Sequence, residues 1–185
     1  LEVADGKTLI VVTGGSLGAL RINRAAIAAA TTWASRDDVV IHHVIGHRDW
    51  DELAGDREAI GGVIDYRPVE YEHDMPTVFA AADLVVSRAG ASTTAELAVV
   101  GLPSVLVPLP GAPGDHQTAN AQGLVTAGGA RLVPDSDLDG DRLVAELDAV
   151  VGAPGVLAEM SAAAATVGRR DAADQVARLM EEHAA

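Results

Sequence analysis

Apolar runs of five to seven residues alternate with helix-length stretches along the chain, a pattern that predicts a parallel sheet with helices on both faces. Strands are expected at Thr8–Val12, Val39–Ile45, Val63–Tyr66, Leu84–Ser87 and Ser104–Pro108, with Arg131–Val133 as an edge strand. Between them, helices are expected at Ala19–Ala34, at Arg48–Ala59 with a polar face, at Met75–Ala82, at Thr93–Val100 and at His116–Ala127. From Leu138 the strand signal ends. Leu143–Val151, Val156–Val167 and Ala172–Glu182 read as amphipathic helices separated by G-A-P-G and G-R-R-D. The expected architecture is therefore α/β: a Rossmann-like, doubly wound parallel sheet of about six strands, in one domain whose residues 138–185 form a mostly helical tail.

The densest chemistry lies between Ser87 and Asn120, in two successive strand-loop-helix crossings with polar helix starts. Amides at a helix start lack intrahelical partners and carry partial positive charge, so they attract phosphate; a carboxylate or amide one turn in holds hydroxyls. A nucleotide-sugar offers both groups. The first such start, T-G-G-S-L-G-A at Thr13–Ala19, follows a strand and opens a helix as a phosphate-binding turn does, although it is not G-x-G-x-x-G. Gly14 and Gly15 permit a sharp turn close to a ligand, Gly18 permits close helix packing, and Ser16 offers a hydroxyl either to phosphate or to its own helix as an N-cap.

Gly90, Ala91, Ser92 and Thr93 open the second helix. Thr93 and Glu96 match the S/T-x-x-E capping box, a structural role that competes with ligand binding. Asp115 is the expected cap of the third helix, which places His116, Gln117 and Asn120 near the same rim, where amides read hydroxyls by donating and accepting at once. The linker V-E-Y-E-H-D-M carries Glu72, with Tyr71 and Met75 placed to pack around a planar base, core packing being the competing role for Met75.

Composition narrows the partners. A formal charge of −14 and only five aromatic residues among 185 exclude a basic or stacking surface for nucleic acid. The chain has no cysteine, which removes disulfides and thiolate metal sites. His42 and His43, adjacent in a strand, point to opposite faces and cannot share a metal; neither a metal nor a cofactor is expected. No apolar run of membrane-spanning length occurs and residues 1–15 lack the plan of a signal peptide, so the expected location is cytoplasmic.

In order and spacing, T-G-G-S-L-G-A, A-A-D-L-V-V-S-R-A-G-A-S-T-T-A-E, G-L-P-S-V-L-V-P-L-P, D-H-Q-T-A-N-A and G-R-R-D-A-A-D-Q-V-A resemble the C-terminal, donor-binding half of MurG-type glycosyltransferases of glycosyltransferase family 28, over nearly the whole chain. The resemblance implies the C-terminal half of a GT-B fold and an inverting transfer of N-acetylglucosamine from UDP-GlcNAc to a lipid-linked muramyl-pentapeptide, forming lipid II for the bacterial cell wall. It places Ser16, Ala91, Ser92 and Thr93 at the diphosphate, Glu96 at the ribose, and Glu72 at the uracil through its main chain. His116 and Gln117 fall at the sugar, supported by Asn120.

In that family the acceptor site, the proposed histidine base and the membrane-facing patch belong to an N-terminal domain, expected to be missing from this chain. Donor binding with little transfer is the expectation for the chain alone, and no catalytic residue is assigned to it. The full-length enzyme is expected at the cytoplasmic face of the plasma membrane. Three other readings share these residues: the donor subunit of a two-component transferase, a non-catalytic nucleotide-sugar-binding module, and a relative of UDP-GlcNAc 2-epimerases.

Overall fold

Uninterrupted apolar runs such as Leu9–Val12 suit strands covered on both faces. The computed structural model describes residues 2–15 and 18–184, and in it these runs form the middle of one parallel sheet. Its strands are β1 (Thr8–Thr13), β2 (Val39–Val44), β3 (Asp65–Val69), β4 (Leu84–Ser87), β5 (Ser104–Leu106) and β6 (Ala130–Leu132), in spatial order β3-β2-β1-β4-β5-β6. The order reverses between β1 and β4, which opens a crevice at the carboxyl ends of the strands. Register makes that rim level: Thr13 lies beside both Val44 and Ser87.

Alternate residues of β1, β2, β4 and β5 feed two cores. Ile10, Val12, Ile41, Val86 and Val105 pack beneath α1 (Leu20–Thr32) and α6 (Gly140–Val151). Leu9, Val11, Val40, Val85 and Leu106 pack beneath α3 (Met75–Ala81), α4 (Ala91–Val100) and α5 (His116–Ala127). Each fully buried Leu, Ile or Val contributes about 1.5–3 kcal/mol, so the doubly wound arrangement follows from strands with no polar face. α2 (Ala54–Glu58) lies at the β2–β3 crossing, and α7 (Val156–Ala165) places Met160 and Ala164 in the two cores. α8 (Ala172–His183) is exposed along its length. Among the described residues no helix is long and apolar enough to cross a membrane.

Several boundaries differ from expectation for local reasons. The expected helix Arg48–Ala59 begins only at Ala54, because 47–53 form turns that carry Arg48 and Asp49 to the rim. The third strand is Asp65–Val69 rather than Val63–Tyr66: Val63 is exposed and its amide donates to the Ala34 carbonyl, while Pro68 is tolerated because β3 is an edge strand. β5 stops at Leu106 and β6 begins at Ala130.

Candidate functional site

A cleft of about 620 Å³ opens over the reversal point, and its walls come from the carboxyl ends of the strands and the segments that follow them. From β1 come Thr13, Gly14, Gly15 and Gly18; from the β3 side Tyr71, Glu72, Met75 and Phe79; from β4 Ser87, Arg88, Gly90, Thr93 and Glu96; and from beyond β5 and β6 Leu109, Gln117 and Asp135. Eight of the thirteen residues singled out from sequence therefore share one cavity: Gly14, Gly15, Glu72, Met75, Gly90, Thr93, Glu96 and Gln117. Ser16 lies outside the described residues.

The β1 turn is built by absence of side chains. A Cβ on Gly14 would stand 2.4 Å from the Ala19 amide nitrogen, so only glycine lets the turn fold onto the start of α1. Gly18 has φ +84°, and a Cβ there would meet the Ile45 carbonyl at 2.5 Å and the Asp49 carboxylate at 2.8 Å. Behind this turn runs a buried polar chain. Asn23 donates to the Ile45 carbonyl and to Asp49 Oδ2, both at 2.9 Å, and its Oδ1 lies 3.1 Å from His43 Nε2, while His43 Nδ1 lies 2.8 Å from the Tyr66 hydroxyl. Burial pushes the His43 ring down to about 3 and raises the Tyr66 phenol, so both are neutral at physiological pH. The sequence signal for this network is a lone Asn23 on the apolar face of α1.

The α4 start departs from the capping-box expectation. α4 begins at Ala91 with Gly90 as its cap, two residues earlier than predicted, so Thr93 is inside the helix and does not cap it. Thr94 instead turns back to the Gly90 and Ala91 carbonyls at 3.0 and 3.1 Å. Thr93 and Glu96 are thereby released from the structural role that competed with ligand binding, and both line the cleft. Ala91 and Ser92 are exposed beside it without forming its wall.

At the α5 start the polar residues divide. Gln117 lines the cleft, and its Oε1 accepts from the amides of Leu109 at 2.9 Å and Ala89 at 3.2 Å. Asn120 donates to the Ala89 carbonyl at 3.1 Å. Both residues thus clamp Ala89, the residue preceding Gly90, one at its amide and one at its carbonyl. His116 is exposed, outside the cleft wall, with Nδ1 3.0 Å from the Pro113 carbonyl. Asp115 occupies the cap position but in a left-handed conformation, and its side chain accepts from the Thr118 hydroxyl at 2.8 Å rather than from a backbone amide.

On the β3 side, His42 Nε2 lies 3.1 Å from Glu72 Oε2, and Glu72 Oε1 accepts from the Asp74 amide at 2.9 Å. The Asp74 amide, foremost, together with the His42 ring holds the Glu72 carboxyl below its ordinary range. Burial outweighs Glu72 and lowers His42. Tyr71 stacks on His47 with ring centroids 5.1 Å apart. His42 and His43 do face opposite sides of the sheet, one toward Glu72 and the other toward Asn23. Among the described residues no group of three His, Cys, Asp or Glu is placed to hold a metal ion.

Sequence reading missed three cationic residues of the cleft wall, Arg21, Arg48 and Arg88. Arg88 pairs with Asp135 at 2.7 Å, and Arg21 reaches the other Asp135 oxygen at 3.1 Å. Position gives a signal for Arg88, which sits between the end of β4 and the Gly90 cap; nothing local marks Asp135.

A sequence model of the family described as glycosyltransferase family 28 C-terminal domain matches residues 9–176. The UDP-N-acetylglucosamine--N-acetylmuramyl-(pentapeptide) pyrophosphoryl-undecaprenol N-acetylglucosamine transferase of Alkalilimnicola ehrlichii is 42% identical over 175 residues, 95% of this chain and 48% of that protein. The protein of the same name from Anaeromyxobacter sp. strain Fw109-5 is 39% identical over 182 residues, 98% of this chain and 47% of that protein. Among solved structures, MurG of Acinetobacter baumannii matches with a TM-score of 0.86 and 29% identity, over 97% of this chain and 51% of that one. The chain thus spans about half the length of the curated relatives it matches.

Proposed function

We propose that this chain, which belongs to the glycosyltransferase family 28 C-terminal domain family, binds the UDP-GlcNAc donor of an inverting N-acetylglucosaminyltransferase that forms lipid II. The observation that carries this reading is the convergence of Gly14, Gly15, Gly90 and Thr93 of the α4 start, Glu96 and Gln117 on one cleft. Helix-start amides and the glycine turn suit a diphosphate, and Glu96 suits the two ribose hydroxyls, each charged hydrogen bond being worth about 1.5–3 kcal/mol. The main chain at Glu72 meets the uracil, with Tyr71 and Met75 against the ring. His116 and Gln117 face the sugar, with Asn120 supporting them.

On this reading the same groups act in transfer. As the bond from the anomeric carbon to the diphosphate breaks, negative charge grows on the departing UDP, and the prearranged α4 and β1-turn amides stabilise it more than they stabilise the intact donor. The acceptor, a lipid-linked muramyl-pentapeptide, and the base that activates its hydroxyl belong to an N-terminal domain, which also makes the contact with the cytoplasmic face of the membrane. Donor binding with little transfer is expected of this chain alone.

Hydrogen exchange with and without UDP-GlcNAc tests the placement. Slowed exchange at 14–15, 71–73 and 91–93 supports it; protection confined to other parts of the chain overturns it.

A further inference from the structure

We infer that His42 is a positioning residue for the nucleobase end of the cleft, fixing through Glu72 the path of the 70–74 loop and thereby the choice of base. The inference rests on the reading of the cleft as a UDP-sugar site and adds to it a residue of β2 that does not line the cavity.

His42 is 3% exposed and lies on the strand face shared with the buried Val40 and Val44, where it is the one polar side chain of β2. A carboxylate has no donor at neutral pH, so in the pair with Glu72 the ring must carry its proton on Nε2 and donate. That assignment leaves Nδ1 as an acceptor, buried and, among the described residues, without a partner. A valine at this position would serve the sheet without an orphaned nitrogen, whose desolvation is unfavourable. The compensation is in the loop. Glu72, anchored by His42, accepts the Asp74 amide at 2.9 Å, and Asp74 in turn accepts the Thr77 amide at 3.2 Å as the cap of α3. A continuous rail of hydrogen bonds therefore runs from the sheet to the helix whose Met75 and Phe79 line the cleft.

The direction of the Glu72 side chain gives this rail its functional consequence. Because the carboxylate turns toward the sheet, the loop's recognition of a base falls to peptide groups, as the main-chain role proposed for Glu72 requires. Bases differ in the order of donors and acceptors along their edges, so peptide groups discriminate among them only when the loop path is fixed. Release of Glu72 from His42 loosens that path while leaving the Gly14–Gly15 turn and the α4 start untouched. The base and diphosphate ends of the ligand are thus separable by experiment.

The test is calorimetric titration of the unaltered chain, His42→Leu, His42→Gln and Glu72→Ala with UDP, CDP, GDP and inorganic pyrophosphate, with urea unfolding as a control for folding. In His42→Leu and Glu72→Ala, UDP affinity should fall about five- to tenfold, the size of one ordinary hydrogen bond. The preference for UDP over CDP should shrink by the same factor, with pyrophosphate binding unchanged. Glutamine carries an amide nitrogen where the ring carries Nε2, so His42→Gln should restore UDP affinity to within about twofold. A folded His42→Leu that keeps the UDP preference, or that loses UDP and pyrophosphate alike, overturns the inference. Should His42→Leu fail to fold, Glu72→Ala decides: an undiminished UDP preference there overturns it equally. If the unaltered chain binds GDP as well as UDP, the donor reading itself has failed, and that result is visible before any variant is made.

Discussion

Arg88 and Asp135 form an ion pair in the wall of the cleft, with Arg88 Nη1 2.7 Å from Asp135 Oδ1 and only 14% and 12% of their side chains exposed. Arg88 also donates to the Val107 and Pro108 carbonyls at 3.2 and 3.1 Å, so its guanidinium is held in place independently of the pair. Asp135 thus presents an anion to a cation already positioned in a cavity proposed to receive a diphosphate.

Neutralising that carboxylate separates stability from affinity. Asp135→Asn should lower unfolding free energy by about 1–3 kcal/mol, because Arg88 loses a mostly buried partner. The same change should tighten binding of UDP and pyrophosphate, since one negative charge leaves the cavity. Urea unfolding and calorimetry on the same variant read the two effects. Weaker pyrophosphate binding in a folded Asp135→Asn chain would show that Asp135 supports the anion site and does not compete with it.

Gln117 joins the loops that follow β4 and β5 through one carbonyl oxygen. In Gln117→Ala the amides of Ala89 and Leu109 lose their acceptor, so their hydrogen exchange should quicken and stability should fall by about 1–2 kcal/mol. UDP-GlcNAc affinity should fall with the loosened α4 start. Unchanged exchange at both amides would rule out the clamp.

Two glycines of the β1 turn should respond differently to alanine. Gly15 has φ +86° and open space around the missing Cβ, so Gly15→Ala meets conformational cost alone, about 1–2 kcal/mol. Gly18→Ala meets that cost and collides with the Ile45 carbonyl, which should bring its loss to about 3 kcal/mol or more. Equal midpoints of thermal unfolding for the two variants would contradict the close packing described at Gly18.

The buried histidine of the network behind that turn predicts a pH response of known sign. His43 is depressed from 6.5 to about 3 in the fold. Between those values the unfolded chain binds the extra proton and the folded chain does not, so stability is greatest above pH 6.5 and falls as pH drops toward 3. The slope from one such group reaches at most about 1.4 kcal/mol per pH unit. His42, also depressed, acts in the same direction. Urea midpoints from pH 7 to about 4 should therefore decline, and less steeply in His43→Gln; an equal slope in that variant would place the titration elsewhere.

Much of this was legible in the sequence, and the exceptions share a cause. The central strands were readable because Leu9–Val12 and Val39–Ile41 contact helices on both faces and carry no polar residue. The glycine turn after β1 and the α5 start at His116 were readable because local chain geometry favours Gly and Asp at such positions. The helix expected from Arg48 failed because Asp49 is committed to Asn23 across the rim. The Thr93–Glu96 capping box failed because Thr94 takes the backbone role one residue along. Arg88–Asp135 and His42–Glu72 join segments distant in the chain, and no local pattern marks a side chain whose partner arrives only through the tertiary fold.

The central claim, that one rim of the sheet holds a UDP-sugar, is tested most directly by titrating the chain and its Glu96→Ala variant with UDP-GlcNAc, with GDP-mannose as the comparison ligand. The expected result is binding of UDP-GlcNAc in preference to GDP-mannose, weakened in Glu96→Ala by about one to two orders of magnitude as the ribose loses its charged acceptor. Equal binding of the two donors, or undiminished affinity in a folded Glu96→Ala chain, would contradict it.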